Sequence, residues 1–181
     1  VAGIDSGVLR FDPAILDPAE ARNRLAHNIR TARADLTAPK VKIEIPVCYG
    51  GEHGPDLEAL STTLSLSVSE IVRLHVSRKY RVLTIGFAPG FAYLGPLPEG
   101  LRTQRLGTPR ARVPEGSVGV AGAMTGVYPL ASPGGWPLIG RTPKKLFDAA
   151  LKKPFLLSHG AEVSFAPITE ETFLRLEADA P

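Results

Sequence analysis

From Pro109 to Pro143 the chain reads PRARVPEGSVGVAGAMTGVYPLASPGGWPLIGRTP, and none of it can be continued as a helix. The stretch holds seven of the 18 glycines, six of the 17 prolines and the only Trp, with Glu115 as its single acid. Inside a helix each Gly would cost roughly 1 kcal/mol and each Pro roughly 3 kcal/mol. Val118, Val120, Ala121, Met124, Val127, Tyr128 and Leu130 make it too apolar for a disordered linker. What remains is short strands joined by tight turns, with backbone closely approached at the glycines.

The rest of the chain is read against that segment. Val8–Asp12 is expected to be a strand ending at Pro13. Asp17-Pro18-Ala19-Glu20 is a helix start, with Asp as N-cap and Pro at the first helical position. Ala21, Leu25, Ile29, Ala32 and Leu36 then recur on one helical face. Val41, Ile43, Ile45 and Val47 alternate with polar residues, as a half-buried strand does. A short helix is expected at Pro55–Leu60. Ser67-Val68-Ser69-Glu70 is a capping box opening a further helix through Leu74 and His75. Tyr80–Phe87 reads as a strand. Helical character is weakly expected again around Lys144–Lys152. Phe155–Leu157 and Val163–Ala166 read as closing strands, and Thr169 caps a last helix. The implied fold is α+β: residues 1–45 form a small α/β domain and 46–181 a small closed barrel.

A chain of 181 residues, 44% hydrophobic and 22% charged, has the composition of a globular protein. Its net charge is +3, and the Lys and Arg are scattered rather than striped, so a nucleic-acid partner is not expected. No apolar run approaches the length of a membrane span. The single cysteine, Cys48, allows no intrachain disulfide and fits a reducing, cytoplasmic setting.

Candidate chemistry is sparse. Gly116, Gly119, Gly122 and Gly126 match neither the dinucleotide nor the P-loop phosphate fingerprint. Cys48 has no sequence-adjacent base and reads more readily as a small hydrophobe than as a nucleophile. His27, His53, His75 and His159 show no metal-ligand spacing, so no metal is expected. His75, late in a helix, reads as a partly buried structural histidine ahead of a catalytic one. No G-x-S-x-G elbow occurs. Arg110, Arg112 and Arg141 flank the glycine-rich stretch, where guanidinium groups suit a carboxylate or phosphate. Phe87, Phe91, Tyr93, Tyr128 and Trp136 are either core or the lining of an apolar groove.

Four motifs carry a resemblance. They are IPVCYGGEHGPDL at Ile45–Leu57, IGFAPGFAYLG at Ile85–Gly95, PRARVPEGSVGVAG at Pro109–Gly122 and TGVYPLASPGGWPLIGRTP at Thr125–Pro143. In this order they resemble the allophanate hydrolase subunit 1 family, also called the carboxyltransferase C and D subdomain. The resemblance implies an N-terminal α/β domain followed by a cyclophilin-like β-barrel. It implies a partner, a larger cyclophilin-like subunit of the allophanate hydrolase subunit 2 type, joined by a third subunit in 5-oxoprolinase. It implies a complex that uses ATP to open 5-oxoproline to glutamate, this chain being inactive alone. Two other roles occur in the family: a KipI-type inhibitor of a sensor histidine kinase, and the carboxyltransferase part of a urea carboxylase.

Within that frame Arg110, Tyr128, Arg141 and Thr142 are the expected substrate-side groups. Gly119 and Gly122 lie in the Gly116–Gly126 run, whose backbone amides are expected to support an oxyanion. Phe87, Phe91, Tyr93, Met124 and Trp136 are the expected partner groove. Three departures from the family pattern stand out. A preceding strand and helix are missing, so the front of the chain is expected to be absent. Met124 stands where Gln is usual. His159-Gly160-Ala161 stands where P-G-D is usual.

Overall fold

A computed structural model of the chain describes residues 8–31 and 41–179. They fall into two compact units, Val1–Pro39 and Lys40–Pro181. In the first, Asp17 caps as its sequence dictates: its Oδ1 accepts from the N–H of Ala19 at 2.8 Å and of Glu20 at 3.2 Å. Pro18 opens helix α1 (Pro18–Thr31), and Arg24 pairs back onto Glu20 one turn earlier. Ala32 and Leu36 of the expected apolar face lie outside the described residues.

Val8–Asp12 is not a strand. Asp12 turns the chain instead: its carboxylate accepts from Ala14 N–H at 2.8 Å and its carbonyl from Ile15 and Leu16. A strand needs a ladder partner, and the described residues of this unit supply none. The other strand expected for residues 1–45 belongs to the second unit, so the division falls before that strand rather than after Ile45.

That second unit is built on a closed seven-stranded barrel. Its strands are β1 (Lys42–Tyr49), β2 (Tyr80–Ile85), β3 (Ala92–Gly95), β5 (Ser117–Ala121), β6 (Met124–Val127), β8 (Leu138–Arg141) and β9 (Glu162–Pro167). Strands β4 (Arg110–Val113) and β7 (Ser132–Gly134) form a separate antiparallel ribbon. Around the barrel the order is β1-β8-β5-β6-β3-β2-β9, and β9 returns to lie parallel to β1. The alternation read in the sequence puts Ile45 and Val47 of β1 in the interior, with Val82, Leu94, Val118, Ile139 and Val163.

Helices α2 (Leu57–Leu64) and α3 (Val68–Val76) connect β1 to β2. The capping box is complete: Ser67 Oγ accepts from Glu70 N–H at 3.2 Å, and Glu70 Oε2 from Ser67 N–H at 2.8 Å. Helix α4 (Glu170–Ala178) starts at Thr169, whose Oγ1 accepts from Thr172 N–H.

The helix expected at Lys144–Lys152 does not form, and Phe155–Leu157 contributes only an isolated bridge, Phe147 to Phe155. The chain doubles back on itself: Asp148 N–H donates to the Pro154 carbonyl and Leu156 N–H to that of Leu146, both at 2.9 Å. Those bonds use the groups a helix would need, and they place Leu146 and Leu157 in the core.

Candidate functional site

Every residue of β5 is buried, which explains why the sequence there shows no alternation. Val118 and Val120 face the barrel interior, whereas Ala121 joins a second core outside it, with Phe91, Val113, Tyr128, Trp136 and Leu138. The glycines make this possible. Gly119 and Gly126 face each other across β5 and β6. A Cβ on Gly119 would lie 3.0 Å from Trp136 Cβ, and one on Gly126 would lie 3.1 Å from Phe91 Cζ. The close approach expected at the glycines is made by the chain's own aromatic rings, which lie directly on the sheet.

The five expected groove residues do come together here, as a packed cluster. Phe91 is the hub: its ring centroid lies 4.9 Å from Tyr93, 5.2 Å from Tyr128, 5.4 Å from Phe87 and 5.8 Å from Trp136, all edge-on. Met124 packs at the margin. Phe91 and Trp136 are buried, so the cluster is core with one exposed member, Phe87, at 63%. Phe87 also has φ of +73°, a left-handed backbone that is an uncommon conformation for a bulky side chain.

The expected substrate-side groups are distributed differently. Tyr128 and Thr142 are buried, and neither presents its hydroxyl to solvent. Tyr128 has its phenol pressed against Gly134, and burial raises its pKa, partly offset by the hydrogen bond from Trp136 N–H. Thr142 Oγ1 accepts from Lys144 N–H at 3.1 Å, a local turn.

Arg141 Nε donates to the Glu115 carbonyl at 2.8 Å, its Nη2 pairs with Glu177 of α4 at 3.2 Å, and its guanidinium lies 5.4 Å from the centroid of Phe173. That group is committed to docking α4. The oxyanion role expected of the glycine-run amides meets the same obstacle: Gly116 N–H donates to Tyr128 O, Val120 N–H to Pro137 O and Gly122 N–H to Thr103 O. Gly122, at φ +56°, is a turn glycine between β5 and β6.

Arg110 is the guanidinium with capacity left. Its Nη2 pairs with Asp56 at 2.5 Å, while Asp56 Oδ2 accepts from Leu138 N–H at 2.7 Å. One carboxylate thus ties the start of α2 to both the β4–β7 ribbon and the barrel, a charge-assisted arrangement. Arg110 Nη1 has no acceptor among the described residues, and neither has Ser132 Oγ on the facing strand. Arg105 lies close enough to Tyr128 to act on its ionisation, as does Arg110. The sequence reading missed Asp56 and Arg105. Asp56 falls within the short helix expected at Pro55–Leu60; it stands at the N-cap of α2, yet its side chain makes no cap bond and is spent on Arg110, 54 residues away.

His75 is fully buried beneath the barrel wall. Thr125 Oγ1 donates to the Gly119 carbonyl at 3.0 Å, so it accepts from His75 Nε2–H, also at 3.0 Å. His75 Nδ1 is then left to accept from Tyr49 O–H at 2.7 Å. The network is satisfied only by neutral imidazole, and burial lowers the His75 pKa to about 3. Cys48 is buried and its thiol pKa is raised, chiefly by desolvation and then by Glu170, which is the opposite of an activated nucleophile. Among the described residues no three His, Cys, Asp or Glu side chains gather as a metal site, and no helix is long and apolar enough to cross a membrane.

This architecture has known relatives. The chain is 55% identical over 128 residues to the B component of 5-oxoprolinase from Escherichia coli O157:H7, covering 71% of this chain and 59% of that protein. It is 47% identical over 131 residues to the protein of the same name from Bacillus subtilis strain 168, covering 72% and 55%. It therefore spans little more than half the length of these curated relatives. A conserved uncharacterized protein from Pyrococcus horikoshii superimposes with a TM-score of 0.71 at 40% identity, over 90% of this chain and 74% of that one. Residues 1–157 match the model of the carboxyltransferase domain, subdomain C and D, and the chain belongs to that family.

Proposed function

We propose that this chain serves in a multi-subunit, ATP-dependent 5-oxoprolinase, opening the lactam of 5-oxoproline to glutamate with a second chain completing the site. The observation that carries the reading is identity of 47–55% to curated proteins named as the B component of 5-oxoprolinase. The site's chemistry supports the need for a partner. His75 is locked neutral, the Cys48 thiol is raised, and Arg141 is tied to α4. No nucleophile, base and oxyanion donor converge among the described residues.

Arg110 is the group offered to substrate. Its Nη1 is buried without an acceptor among the described residues, and with Arg105 nearby this unmet donor suits the carboxylate of 5-oxoproline in the assembled complex. ATP is handled in the assembled complex, and the cyclophilin-like large subunit of the family is the proposed partner. The test is ATP-dependent glutamate release by the chain mixed with its partner subunits. Arg110→Lys, which keeps the charge but loses the planar fork, is expected to raise KM for 5-oxoproline about tenfold or more. A complex that makes no glutamate from 5-oxoproline and ATP would overturn the activity. Unchanged KM in the Lys variant would overturn the role of Arg110 alone.

A further inference from the structure

The doubled-back segment between β8 and β9 builds something that neither the family match nor the proposed chemistry uses. It encloses a groove of about 630 Å³. Phe147, Leu151, Phe155 and Leu176 form its walls, with Pro46 of β1 also lining it. Lys144, Lys145 and Lys153 line it too, against one acid, Asp148, among the described residues. Leu151 is 59% and Phe155 50% exposed, so large apolar side chains stand at the opening. Scattered exposed apolar residues mean little, but apolar side chains gathered in a concavity and ringed by charge mark a recognition site.

The walls are held in place. The Phe147 and Phe155 rings pack with centroids 5.2 Å apart. The hydrogen bonds from Leu156 to Leu146 and from Asp148 to Pro154 fix the two arms, and Lys144 Nζ is anchored on the Glu44 carbonyl at 3.2 Å. An occupant therefore meets a preformed surface and does not have to order it.

We propose that this groove is a docking surface for a partner chain, which inserts an amphipathic segment with apolar side chains toward the Phe147–Phe155 wall and acidic side chains toward the lysines. The apolar floor and the excess of cations together define that chemistry: acidic side chains meet complementary charge there, and a basic segment would be repelled. The inference rests on the subunit reading above and adds the face through which the subunit is held.

The experiment titrates the full chain with the purified partner subunits of its own complex and measures affinity by calorimetry and sedimentation. Phe155→Asp and Leu151→Asp are each expected to weaken binding roughly 30-fold or more, the scale of an interface hot spot. Lys153→Glu should weaken it several-fold and flatten its dependence on salt. Phe87→Asp, on an exposed aromatic that does not line the groove, should leave affinity unchanged. Urea midpoints close to that of the unaltered chain verify that these surface variants fold.

Binding that survives both Asp variants, or that is lost in Phe87→Asp instead, overturns the groove while leaving the subunit reading intact. Absence of any complex with the unaltered chain overturns the subunit reading and this proposal with it. A homodimer of the chain that Phe155→Asp splits would show that a second copy fills the groove, and would overturn the partner proposal.

Discussion

Phe91 and Phe155 belong to two aromatic clusters built in opposite ways. Around Phe91 four rings meet edge-on, and the hub is only 2% exposed. The glycine pair beneath it removes the side chains that would hold the rings off the sheet. Around Phe155 a single ring partner is present, the backbone is irregular, and half the side chain faces solvent. Chemically similar residues thus do different work. The first cluster stabilises the barrel's outer wall, and the second leaves apolar surface uncovered in the free chain. Aromatic content alone cannot separate the two; what separates them is whether the neighbouring backbone allows the rings to be covered.

Truncation should expose that difference most. Phe91→Ala is expected to cost roughly 3–5 kcal/mol of stability, read from the urea midpoint, because it empties the hub of a closed cluster. A loss under about 1 kcal/mol would mean that the cluster is not the core it looks like. Gly134→Ala tests the same cluster from the other side. Its Cβ would overlap Tyr128 Oη, so a cost of about 3 kcal/mol, the top of the overpacking range, is expected.

Acid probes the barrel interior behind both clusters. The unfolded His75 titrates at the ordinary value of 6.5 and the folded one at about 3, so the unfolded state binds the extra proton between those values. Stability from this residue is complete above pH 6.5 and is lost as pH falls below it, at about 1.4 kcal/mol per pH unit. Between pH 7 and pH 5 the urea midpoint should fall by the equivalent of about 2 kcal/mol. Tyr49 and Tyr80, which face His75, have raised pKa values and stay neutral throughout that window. A flat profile would contradict the neutral network. Smallest of all, Phe155→Ala should change the stability of the free chain by less than about 1 kcal/mol. A larger loss would make the groove part of the core and erase the contrast with Phe91.

The same contrast governs what could be read in advance. Signals carried by a few consecutive residues are legible: the Asp17 cap, the Ser67–Glu70 capping box, the alternation in β1 and the Thr169 cap all appear as the sequence implies. The glycine-rich stretch is legible as short strands, though not the reason for its glycines. Partnerships between distant residues are not legible. Asp56 with Arg110, Tyr49 with His75 and Arg141 with Glu177 each depend on where the topology delivers the second residue. The Lys144–Lys152 segment misleads because its hydrogen bonds go to Pro154 and Leu156, outside any helical register.

The parallel pairing of β1 with β9 has a consequence for how this protein is made. Synthesis through Leu157 delivers six of the seven barrel strands, yet β1 and β2 each still lack the neighbour that only Glu162–Pro167 provides. Until that strand emerges from the ribosome, the nascent chain carries an open sheet with two bare edges, the form most prone to pair with another molecule. Closure joins the first barrel strand to the last, far apart along the chain, and such long-range pairing is slow. Closure of this barrel therefore waits on its last strand, and the vulnerable interval lasts until Pro167 has left the exit tunnel.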